Sequence, residues 1–506
     1  MPEIRPWDQY NETLVANAHP PDWKNPEPAA SYNLVVIGAG TAGLVCAAGA
    51  AGLGARVALV ERHLMGGDCL NYGCVPSKAV IRSSRIAADI RAAGRFGVKV
   101  PAGAEVDFPA VMERMRRLRA QISHHDSARR FRDELGVDVF LGEARFSGAR
   151  TVEVAGNTLN FKKAVIASGG RPVQPAIAGL AEAGFLTNET IFSLTARPPR
   201  FLVIGAGPIG CEFAQALQRL GCQVSLLHKH SLVMNREDAD AAELMQKIFL
   251  REGINLILNA KPLQVSKTSA GKLLRFESGG ATGEIEVDEI MVGAGRAPNV
   301  ENLNLEAAGV KYEAGRGRGV LVNDHLQTTN HHIYAAGDVC LPYQFTHLAD
   351  AAARIVIQNA LFLGRKKLSA LTIPWCTYTD PEVAHVGLNE AEAQNQGLAV
   401  QTFSKPLNEV DRAIIDGEEE GFAKILVKAG TDKILGATVV ARHAGEMISE
   451  VSLAMVGGVG LGKLAGVIHP YPTQAEAIKG AATLYNRSRL TPRLQRLLAR
   501  YLAWHR

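Results

Sequence analysis

The sequence predicts an α/β protein of several domains, and three observations support that prediction. The chain has 506 residues, 47% of them hydrophobic and 21% charged, so it can build more than one buried core. Its 50 glycines follow no Gly-X-Y repeat, which excludes a collagen-like fibre. Two segments read as a buried strand, a glycine-rich turn, a helix and a second strand, which is the order of a dinucleotide-binding unit.

The first such unit begins with the apolar strand Tyr32 to Ile37 and ends with a second strand and Glu61. The turn between strand and helix carries three glycines, Gly38, Gly40 and Gly43. They would allow a tight turn, approach to a pyrophosphate and close helix packing, while Glu61 would accept hydrogen bonds from an adenosine ribose. The uncharged run that contains them has too many glycines for a membrane span, so a strand–turn–helix unit is favoured.

The second unit repeats this order after the strand Phe201 to Ile204. Its glycines are Gly205, Gly207 and Gly210. Counting from the first glycine of each turn places His228 where Glu61 stands in the first unit, followed by Lys229 and His230, with Arg236 nearby. A cationic cluster without a carboxylate favours a ribose 2′-phosphate, so the second site is predicted to prefer NADPH over NADH. The alternative is that these are solvated loop charges.

Two cysteines, Cys69 and Cys74, lie five positions apart between the first unit and the next predicted helix. They can form a small-loop disulfide, and a thiolate at a helix N-terminus is stabilised by the helix dipole. A structural zinc site is disfavoured because no second close pair of ligands has suitable spacing. The other cysteines are predicted to be small core residues: Cys46, Cys211, Cys222, Cys340 and Cys376.

The block Gly66 to Lys78, together with the two glycine turns, resembles the FAD-dependent pyridine nucleotide–disulfide oxidoreductases. That family includes lipoamide dehydrogenase, glutathione reductase and mercuric reductase, and the likeness extends over about residues 31 to 485. Further matching segments are residues 167–172, 295–299, 333–338 and 379–387. The resemblance implies two Rossmann-like dinucleotide-binding domains, for FAD and NAD(P)H, and a C-terminal α+β dimerisation domain, with a homodimer as the functional form.

The same resemblance implies a role for each matching residue. Cys74 would be the thiolate against the flavin and Cys69 the thiol that attacks substrate, while Lys78 would lie near the flavin ring with Glu212 as its carboxylate partner. Electrons would pass from NADPH through FAD to the Cys69–Cys74 disulfide and then to the substrate. The implied FAD-binding residues are Gly38, Gly40, Gly43, Glu61, Gly67, Lys78, Ser168, Gly169 and Asp338. The implied NAD(P)H-binding residues are Gly205, Gly207, Gly210, Lys229, Arg236 and Gly295.

The substrate depends on a C-terminal segment that reads His-Pro-Thr-x-x-Glu in disulfide-processing members. Counting back from Glu476 places Tyr471 at the position of the catalytic base, with His469 two residues earlier. A phenol is a poor base at neutral pH, which disfavours lipoamide dehydrogenase. A tyrosine at this position is similar to mercuric reductases. The vicinal C-terminal cysteines typical of mercuric reductases are missing here, because no cysteine follows Cys376. A soft metal ion and a small disulfide therefore both remain open as substrate, the second with His469 as base.

The order of motifs predicts six segments along the chain, in a cytoplasmic enzyme. They are an N-terminal extension (1–30), a first FAD-binding segment (31–172), an NAD(P)H-binding domain (173–300), a returning FAD-binding segment (301–366), an interface domain (367–485) and a tail (486–506). The first 30 residues lack a basic-then-apolar block, and the cysteines are few and odd in number, which favours a reducing compartment. The charged stretch Met112 to Arg119 is predicted to be one solvated helix face, and neither adjacent histidine pair is expected to bind a metal.

The tail accounts for the formal net charge of +5, because its 21 residues hold six arginines and no acid, leaving 49 bases against 50 acids. That near-neutral balance does not support a nucleic-acid groove. From Pro492 the leucines fall on one helical stripe flanked by arginines. The pattern fits an interfacial helix on anionic lipid, or a helix packed on a protein surface. A flavoprotein component docked to a membrane or complex is thus a third hypothesis.

Overall fold

A computed structural model describes residues 4–506 of the chain. The first three residues of the predicted N-terminal extension lie outside the described residues. The chain divides into two compact units. The first runs to Gly205 and resumes at Ala216–Leu227 and Ala260–Leu371, and the second comprises Ala206–Gln215, His228–Asn259 and Thr372–Arg506.

The described chain contains both helices and strands. The helices are α1 Gln9–Ala18, α2 Thr41–Gly52, α3 Gly67–Asn71, α4 Cys74–Ala92, α5 Phe108–Ser123, α6 Ala128–Asp133, α7 Leu180–Ala183, α8 Pro208–Arg219, α9 Ala239–Arg251, α10 Thr346–Leu361, α11 Glu390–Asn395, α12 Asp411–Asp416, α13 Ala444–Val456, α14 Leu461–Leu464, α15 Glu476–Ser488 and α16 Pro492–Trp504. The strands are β1 Tyr32–Ile37, β2 Val57–Glu61, β3 Asp138–Leu141, β4 Ala144–Gly148, β5 Thr151–Val154, β6 Asn157–Ile166, β7 Gly170–Pro172, β8 Arg200–Ile204, β9 Gln223–Leu227, β10 Asn255–Ile257, β11 Ala260–Thr268, β12 Gly271–Ser278, β13 Ala281–Val287, β14 Glu289–Val292, β15 Arg296–Pro298, β16 Tyr312–Glu313, β17 Gly319–Val320, β18 Ile333–Ala335, β19 Pro374–Thr377, β20 Glu382–Gly387, β21 Val400–Pro406, β22 Phe422–Lys428 and β23 Ile434–Ala441.

The main sheet of the first unit has the strand order β3-β2-β1-β6-β5-β4, and β18 also pairs with β6. Strands β3, β2, β1, β6 and β18 run parallel, so their carboxyl ends meet at one edge. The central strand β1 is almost entirely buried, as expected for an apolar strand with helices on the faces of its sheet. The predicted strand–turn–helix–strand unit is therefore confirmed as β1, α2 and β2, and α2 packs against α10.

The first unit also contains the strands of the second glycine-rich segment. Strands β9, β8 and β14 lie side by side in parallel, with β8 in the middle. Strands β11, β12 and β13 form a separate antiparallel meander. The helix α8 follows the second glycine turn along the chain, and the predicted order of strand, turn, helix and strand is again confirmed.

The N-terminal segment of the first unit contains a helix, α1, that packs on α5. Asp8 caps α1 by accepting hydrogen bonds from two backbone N–H groups, and Leu14 and Val15 bury their side chains beneath it. The prediction of a solvated face on α5 is wrong for Arg116 and Arg119, which are only 7% and 2% exposed. Both side chains are covered because α1 lies over them.

The second unit is built around the antiparallel sheet β19-β20-β23-β22-β21. Helices α13 and α15 pack on its strands. Buried apolar side chains between sheet and helices include Ile425, Val427, Val439, Ile448, Val451, Ile478 and Tyr485. The tail forms α16, whose N-terminus is capped by Thr491 and whose residues are all exposed. The α/β class predicted from the sequence is thus confirmed.

Candidate active site

The first glycine turn, between β1 and α2, has no room for side chains. Gly38 has a φ of 101°, and a Cβ on it would lie 2.4 Å from the Ala167 carbonyl oxygen. A Cβ on Gly43 would lie 1.8 Å from the Gly38 carbonyl oxygen, so the first turn of α2 packs directly on the strand end. Gly40 is the N-cap residue of α2. The backbone N–H groups at this helix start are the donors that a phosphate would need.

Glu61 ends β2 beside this turn, where the sequence predicted it. Its Oε2 accepts a hydrogen bond of 2.7 Å from the Ala39 N–H, and its Oε1 accepts one of 2.8 Å from the His63 N–H. Burial raises the pKa of Glu61, while these backbone donors act in the opposite direction. The carboxylate therefore both ties β2 to the glycine turn and has lone pairs left for a ribose hydroxyl.

The segment that carries the two cysteines lies directly against the first glycine turn. The Gly66 N–H donates to the Ala39 carbonyl at 2.8 Å, and Gly66 has a φ of 92°. A Cβ on Gly67 would lie 2.6 Å from the Gly40 Cα, so only glycine allows the two backbones to approach this closely. The predicted site residue Gly67 is thus part of the same cradle as Gly40.

Cys69 and Cys74 lie within hydrogen-bonding reach of each other, Cys69 in α3 and Cys74 as the first residue of α4. The hydrogen bond with Cys74 and burial together raise the pKa of the Cys69 thiol. Cys74 is exposed, and its Sγ lies 3.3 Å from the Thr346 hydroxyl at the start of α10. Lys78 follows one helical turn after Cys74 on α4, so both side chains lie on the same side of that helix.

An ion-pair cluster links the cysteine segment to the end of β6. Arg296 pairs with Asp68, the residue before Cys69, and its Nε lies 3.4 Å from the Asp338 Oδ2. Burial raises the pKa of Asp338, and Arg296 opposes that rise. The loop after β6 joins the cluster, because the Ser168 hydroxyl donates to the Asn299 carbonyl at 2.6 Å and the Asn299 N–H donates to the Gly169 carbonyl at 2.9 Å.

The structure therefore brings Ser168, Gly169 and Asp338, three of the expected FAD-binding residues, to one edge of the main sheet. Arg296 and Asp68 were not among the predicted site residues. Their signal was present in the sequence, since Arg296 follows Gly295 in a matching segment and Asp68 directly precedes Cys69. A cation between two carboxylates at this edge holds the cysteine segment and the Asp338 segment together.

The second glycine turn follows β8, and its first glycine, like Gly38, has a positive φ and a close backbone neighbour. Gly205 has a φ of 108°, and a Cβ on it would lie 2.6 Å from the Gly293 carbonyl oxygen after β14. Gly295 also has a φ of 108°, and its carbonyl accepts from the Val173 N–H at 3.0 Å. Gly207 and Gly210 follow at the start of α8.

His228, in the second unit, takes the place that Glu61 has in the first glycine turn. Its Nδ1 accepts a hydrogen bond of 3.2 Å from the Ala206 N–H, and burial lowers its pKa. This position therefore carries a histidine ring in place of a carboxylate. The Met234 N–H donates to the Ala206 carbonyl at 2.8 Å, which holds the loop bearing Arg236 beside the turn. Lys229 and Arg236 are both exposed there.

Glu212 is 5% exposed on α8, and its Oε1 accepts a hydrogen bond of 2.9 Å from the Tyr378 N–H. Because Lys78 belongs to the other compact unit, the expected pair of Lys78 with Glu212 stays a prediction.

The C-terminal segment gives its two candidate bases very different surroundings. Tyr471 is 71% exposed and donates its hydroxyl to Asp411 at 2.9 Å, an interaction that raises the pKa of the phenol. His469 has a side chain only 5% exposed, and its Nε2 lies 2.9 Å from the Glu450 Oε1. Glu476 begins α15.

Comparison with known proteins places the chain among flavoenzymes. Residues 32–355 match the family model for pyridine nucleotide-disulphide oxidoreductases, and residues 373–482 match the dimerisation domain of the same family. The chain belongs to this family. The match to the dimerisation domain also supports the predicted homodimer.

The relatives that match this chain are named for different activities. The chain is 36% identical to a mercuric reductase of Lysinibacillus sphaericus, covering 90% of this chain and 83% of the relative. It is 34% identical to a dihydrolipoyl dehydrogenase of Bacillus subtilis, covering 90% and 98%. Among solved structures, the HOCl-induced flavoprotein disulfide reductase RclA from Escherichia coli has a TM-score of 0.80 at 28% identity, covering 90% and 100%.

Members of this oxidoreductase family use FAD and NAD(P)H. The first glycine turn fits a dinucleotide, because a Cβ at Gly38, Gly43 or Gly67 would meet neighbouring backbone and Glu61, the expected ribose acceptor, hydrogen-bonds to the turn. At the second turn, a Cβ on Gly205 would likewise meet neighbouring backbone. Between residues 4 and 506, no cluster of three or more metal-ligating side chains occurs. None of the helices described in that range is long and apolar enough to cross a membrane.

Proposed function

We propose that this oxidoreductase is an NADPH-dependent reductase of a soft metal ion, with mercury(II) as the model substrate and Cys69 and Cys74 as its ligands. The observation that supports this proposal is the condition of the two candidate bases, Tyr471 and His469. A disulfide substrate needs a group that exchanges protons with thiols at neutral pH. A soft metal ion is passed between thiolates and needs no such group.

Tyr471 is poorly suited to be that base. Its ordinary pKa near 10 is raised further by the Asp411 carboxylate, so the phenol keeps its proton at neutral pH. His469 is held by both oxygens of Glu450, at 2.9 and 3.1 Å, and its side chain is almost fully buried. The other ring nitrogen, Nδ1, lies 3.2 Å from the Val467 carbonyl oxygen, so both nitrogens of His469 already have partners.

The electron balance is simple for this assignment. When bound, NADPH supplies two electrons as a hydride and FAD passes them on. The two electrons break the Cys69–Cys74 S–S bond and leave two thiolates, which can bind a divalent soft ion; the ion then takes two electrons from the thiolates, and the S–S bond forms again. In the overall reaction, NADPH and the divalent ion give NADP⁺, a proton and the metal in its zero-valent state. The positions of Cys74 at the start of α4 and of Lys78 one turn later favour the thiolate form of Cys74.

The comparisons support this proposal without deciding it. Mercuric reductases and a dihydrolipoyl dehydrogenase match at nearly equal identity. A Cu(II) complex of RclA from Escherichia coli matches with a TM-score of 0.78 at 27% identity, covering 88% of this chain and 98% of that chain. A small disulfide remains the second candidate, because the pair of His469 with Glu450 is the type of pair that can carry a proton.

The deciding experiment measures NADPH oxidation by the holoenzyme with mercury(II), copper(II), lipoamide and glutathione disulfide in separate reactions. We expect turnover with a metal ion that disappears in Cys69→Ser and changes less than about threefold in Tyr471→Phe and His469→Gln. Turnover with a disulfide alone, lost in His469→Gln, would contradict the proposal and identify the second candidate. Equal rates for wild type and Cys69→Ser on every substrate would exclude the dithiol mechanism.

The domain division and the homodimer belong to the same proposal. We place FAD on the segments 31–172 and 301–366, NADPH on 173–300 and dimer contacts on 367–485, in a cytoplasmic protein. In this family the C-terminal segment of one subunit completes the site of the other. A folded, fully active monomer in solution, measured by light scattering, would contradict that arrangement.

The tail helix α16 favours a second interaction, with anionic lipid. Its apolar stripe is exposed at Leu497, Tyr501 and Leu502, while Arg496 and Arg500 flank it. An exposed apolar stripe beside cationic side chains complements an anionic bilayer surface. Co-sedimentation with phosphatidylserine vesicles should be lost when the chain ends at Tyr485, whereas neutral vesicles should bind neither form. Equal binding of both forms, or a loss of dimer on truncation, would instead assign the stripe to protein packing.

A further inference from the structure

The N-terminal helix α1 is joined to the cysteine segment by a buried chain of hydrogen bonds. Asn11 is fully buried on α1, and its Oδ1 accepts a hydrogen bond of 2.7 Å from Arg119 Nη2. Arg119 Nη1 donates at 2.7 Å to the carbonyl of Asn71. Asn71 lies between Cys69 and Cys74 and is the last residue of α3. One guanidinium thus connects the N-terminal helix with the centre of the cysteine loop.

A second connection ties the same helix to the start of that loop. The Ala18 carbonyl, at the end of α1, accepts a hydrogen bond of 3.0 Å from the Met65 N–H. The Asn71 side chain in turn donates to the Met65 carbonyl at 3.1 Å and to the Gly67 carbonyl at 2.9 Å. The loop is therefore held at both its beginning and its middle, and each attachment leads back to α1.

The Arg119 contact is costly to build, which argues against an incidental one. Burial lowers the pKa of Arg119 to about 10, so the folded chain holds a guanidinium in poorly solvated surroundings. The carbonyl of Asn71 belongs to the last turn of α3, where backbone acceptors lack partners within the helix. A cation is the strongest partner for such an acceptor. The neighbouring Arg116 is bound to α1 as well, through Asp8 at 2.5 Å.

We propose that Asn11 and Arg119 are positioning residues for the Cys69–Cys74 pair, so that the N-terminal segment sets how readily its disulfide opens. The family match begins at residue 32, so α1 lies outside the matched residues. A disulfide requires its two Cβ atoms about 3.8 Å apart, and loop strain in either state shifts its reduction potential. This inference rests on the proposed redox role of the two cysteines, but its tests do not require a known substrate.

The test compares four variants of the holoenzyme. Asn11→Leu removes the acceptor for Arg119 at similar volume, and Arg119→Lys replaces the two nitrogens that reach Asn71 and Asn11 by a single ammonium nitrogen without the fork geometry. Asn11→Asp keeps an acceptor for Arg119 but, like Asn11→Leu, loses the hydrogen bond of 2.7 Å that the Asn11 amide donates to the Pro6 carbonyl, so wild-type behaviour in Asn11→Asp isolates the Arg119 contact. Asn17→Ala is the matched control, because Asn17 also lies on α1 and donates to Ser123 of α5 at 2.9 Å without reaching the loop.

Two readouts are independent of turnover. Amide hydrogen exchange at residues 70–74 should accelerate about tenfold in Asn11→Leu and Arg119→Lys, the effect of one lost hydrogen bond to a charged group. The thiol–disulfide equilibrium with glutathione should shift towards the dithiol by a similar factor, because a loosened loop brings the thiols together less often. Asn11→Asp and Asn17→Ala should stay within about twofold of wild type on both readouts.

Exchange and equilibrium constants that stay at wild-type values in both Asn11→Leu and Arg119→Lys would overturn the inference. An equal loss of protection throughout the protein, including Asn17→Ala, would reduce the two residues to a general structural role and overturn it too. If Cys69→Ser leaves turnover intact while Asn11→Leu loosens the loop, the proposed function fails and the positioning role stands.

Discussion

Replacing Lys229 and Arg236 with alanine should reduce the preference for NADPH while leaving the use of NADH almost unchanged. Both side chains are exposed next to the second glycine turn, where His228 Nδ1 accepts from the Ala206 N–H. Glu61 Oε2 makes the corresponding contact with Ala39 in the first turn. The two turns thus share one geometry and differ in charge at the ribose end, which is where the 2′-phosphate distinguishes the two nucleotides.

The size of the effect follows from the exposure of these side chains. A hydrogen bond to a charged group contributes about 1.5 to 3 kcal/mol, and solvent-exposed positions lie at the lower end of that range. We therefore expect each single substitution to lower kcat/KM for NADPH about tenfold, which corresponds to about 1.4 kcal/mol. The side chains lie on different parts of the loop, so the double variant should approach a hundredfold loss.

The assay is steady-state oxidation of NADPH and of NADH with one fixed electron acceptor at low and high salt. Lys247→Ala is the matched control, since Lys247 is an exposed lysine on α9 of the same unit. Salt should weaken the NADPH effect because the charges are solvent-exposed. An equal fall of kcat/KM for NADPH and NADH would refute the reasoning, because it would show loss of general binding in place of phosphate recognition.

Three further predictions follow from the contacts. Cys69→Ser and Cys74→Ser should each abolish substrate turnover while flavin absorbance shows that FAD stays bound; retained turnover in both would contradict the dithiol mechanism. Gly43→Val should yield protein without FAD, because its Cβ would overlap the Gly38 carbonyl 1.8 Å away, whereas Gly52→Ala, with open space around its Cβ, should keep the flavin. Glu237→Gln should stabilise the protein at pH 8 but not at pH 4, measured by urea unfolding. Burial raises the pKa of Glu237 to about 7, so stability is lost as pH rises through that value, by about 3 kcal/mol at most.

The structural features near the site that the sequence predicted correctly, the glycine turn and the strand that ends at Glu61, have partners that are near in sequence or fixed by backbone geometry. The turn at Gly38 needs a positive φ and a close neighbour, and only glycine supplies both. Glu61 follows from the same unit, since a parallel neighbour strand ends beside the turn. Such features depend on local chemistry, so they can be predicted from one sequence alone.

The buried arginines of α5 could not be predicted in this way. Arg119 shares one face of α5 with the buried Met112 and Met115, but the helix itself does not show which acceptors would satisfy a buried arginine there. The acceptors come from Asp8 and Asn11, more than a hundred residues earlier, which supply them only after α1 has packed. Pairings over that separation depend on tertiary structure, which residue periodicity does not encode.

The substrate is equally hard to predict from the sequence, because it depends on which side chains remain available after folding. Relatives named for a metal ion and for lipoamide match this chain almost equally, so identity over the whole chain cannot separate them. Few residues bear on the choice of substrate, and their surroundings determine whether they can act as a base. Asp411 keeps the Tyr471 phenol protonated, and Glu450 holds the His469 ring away from solvent. These two contacts, more than overall identity, are therefore what the comparison of metal and disulfide substrates with Tyr471→Phe and His469→Gln tests.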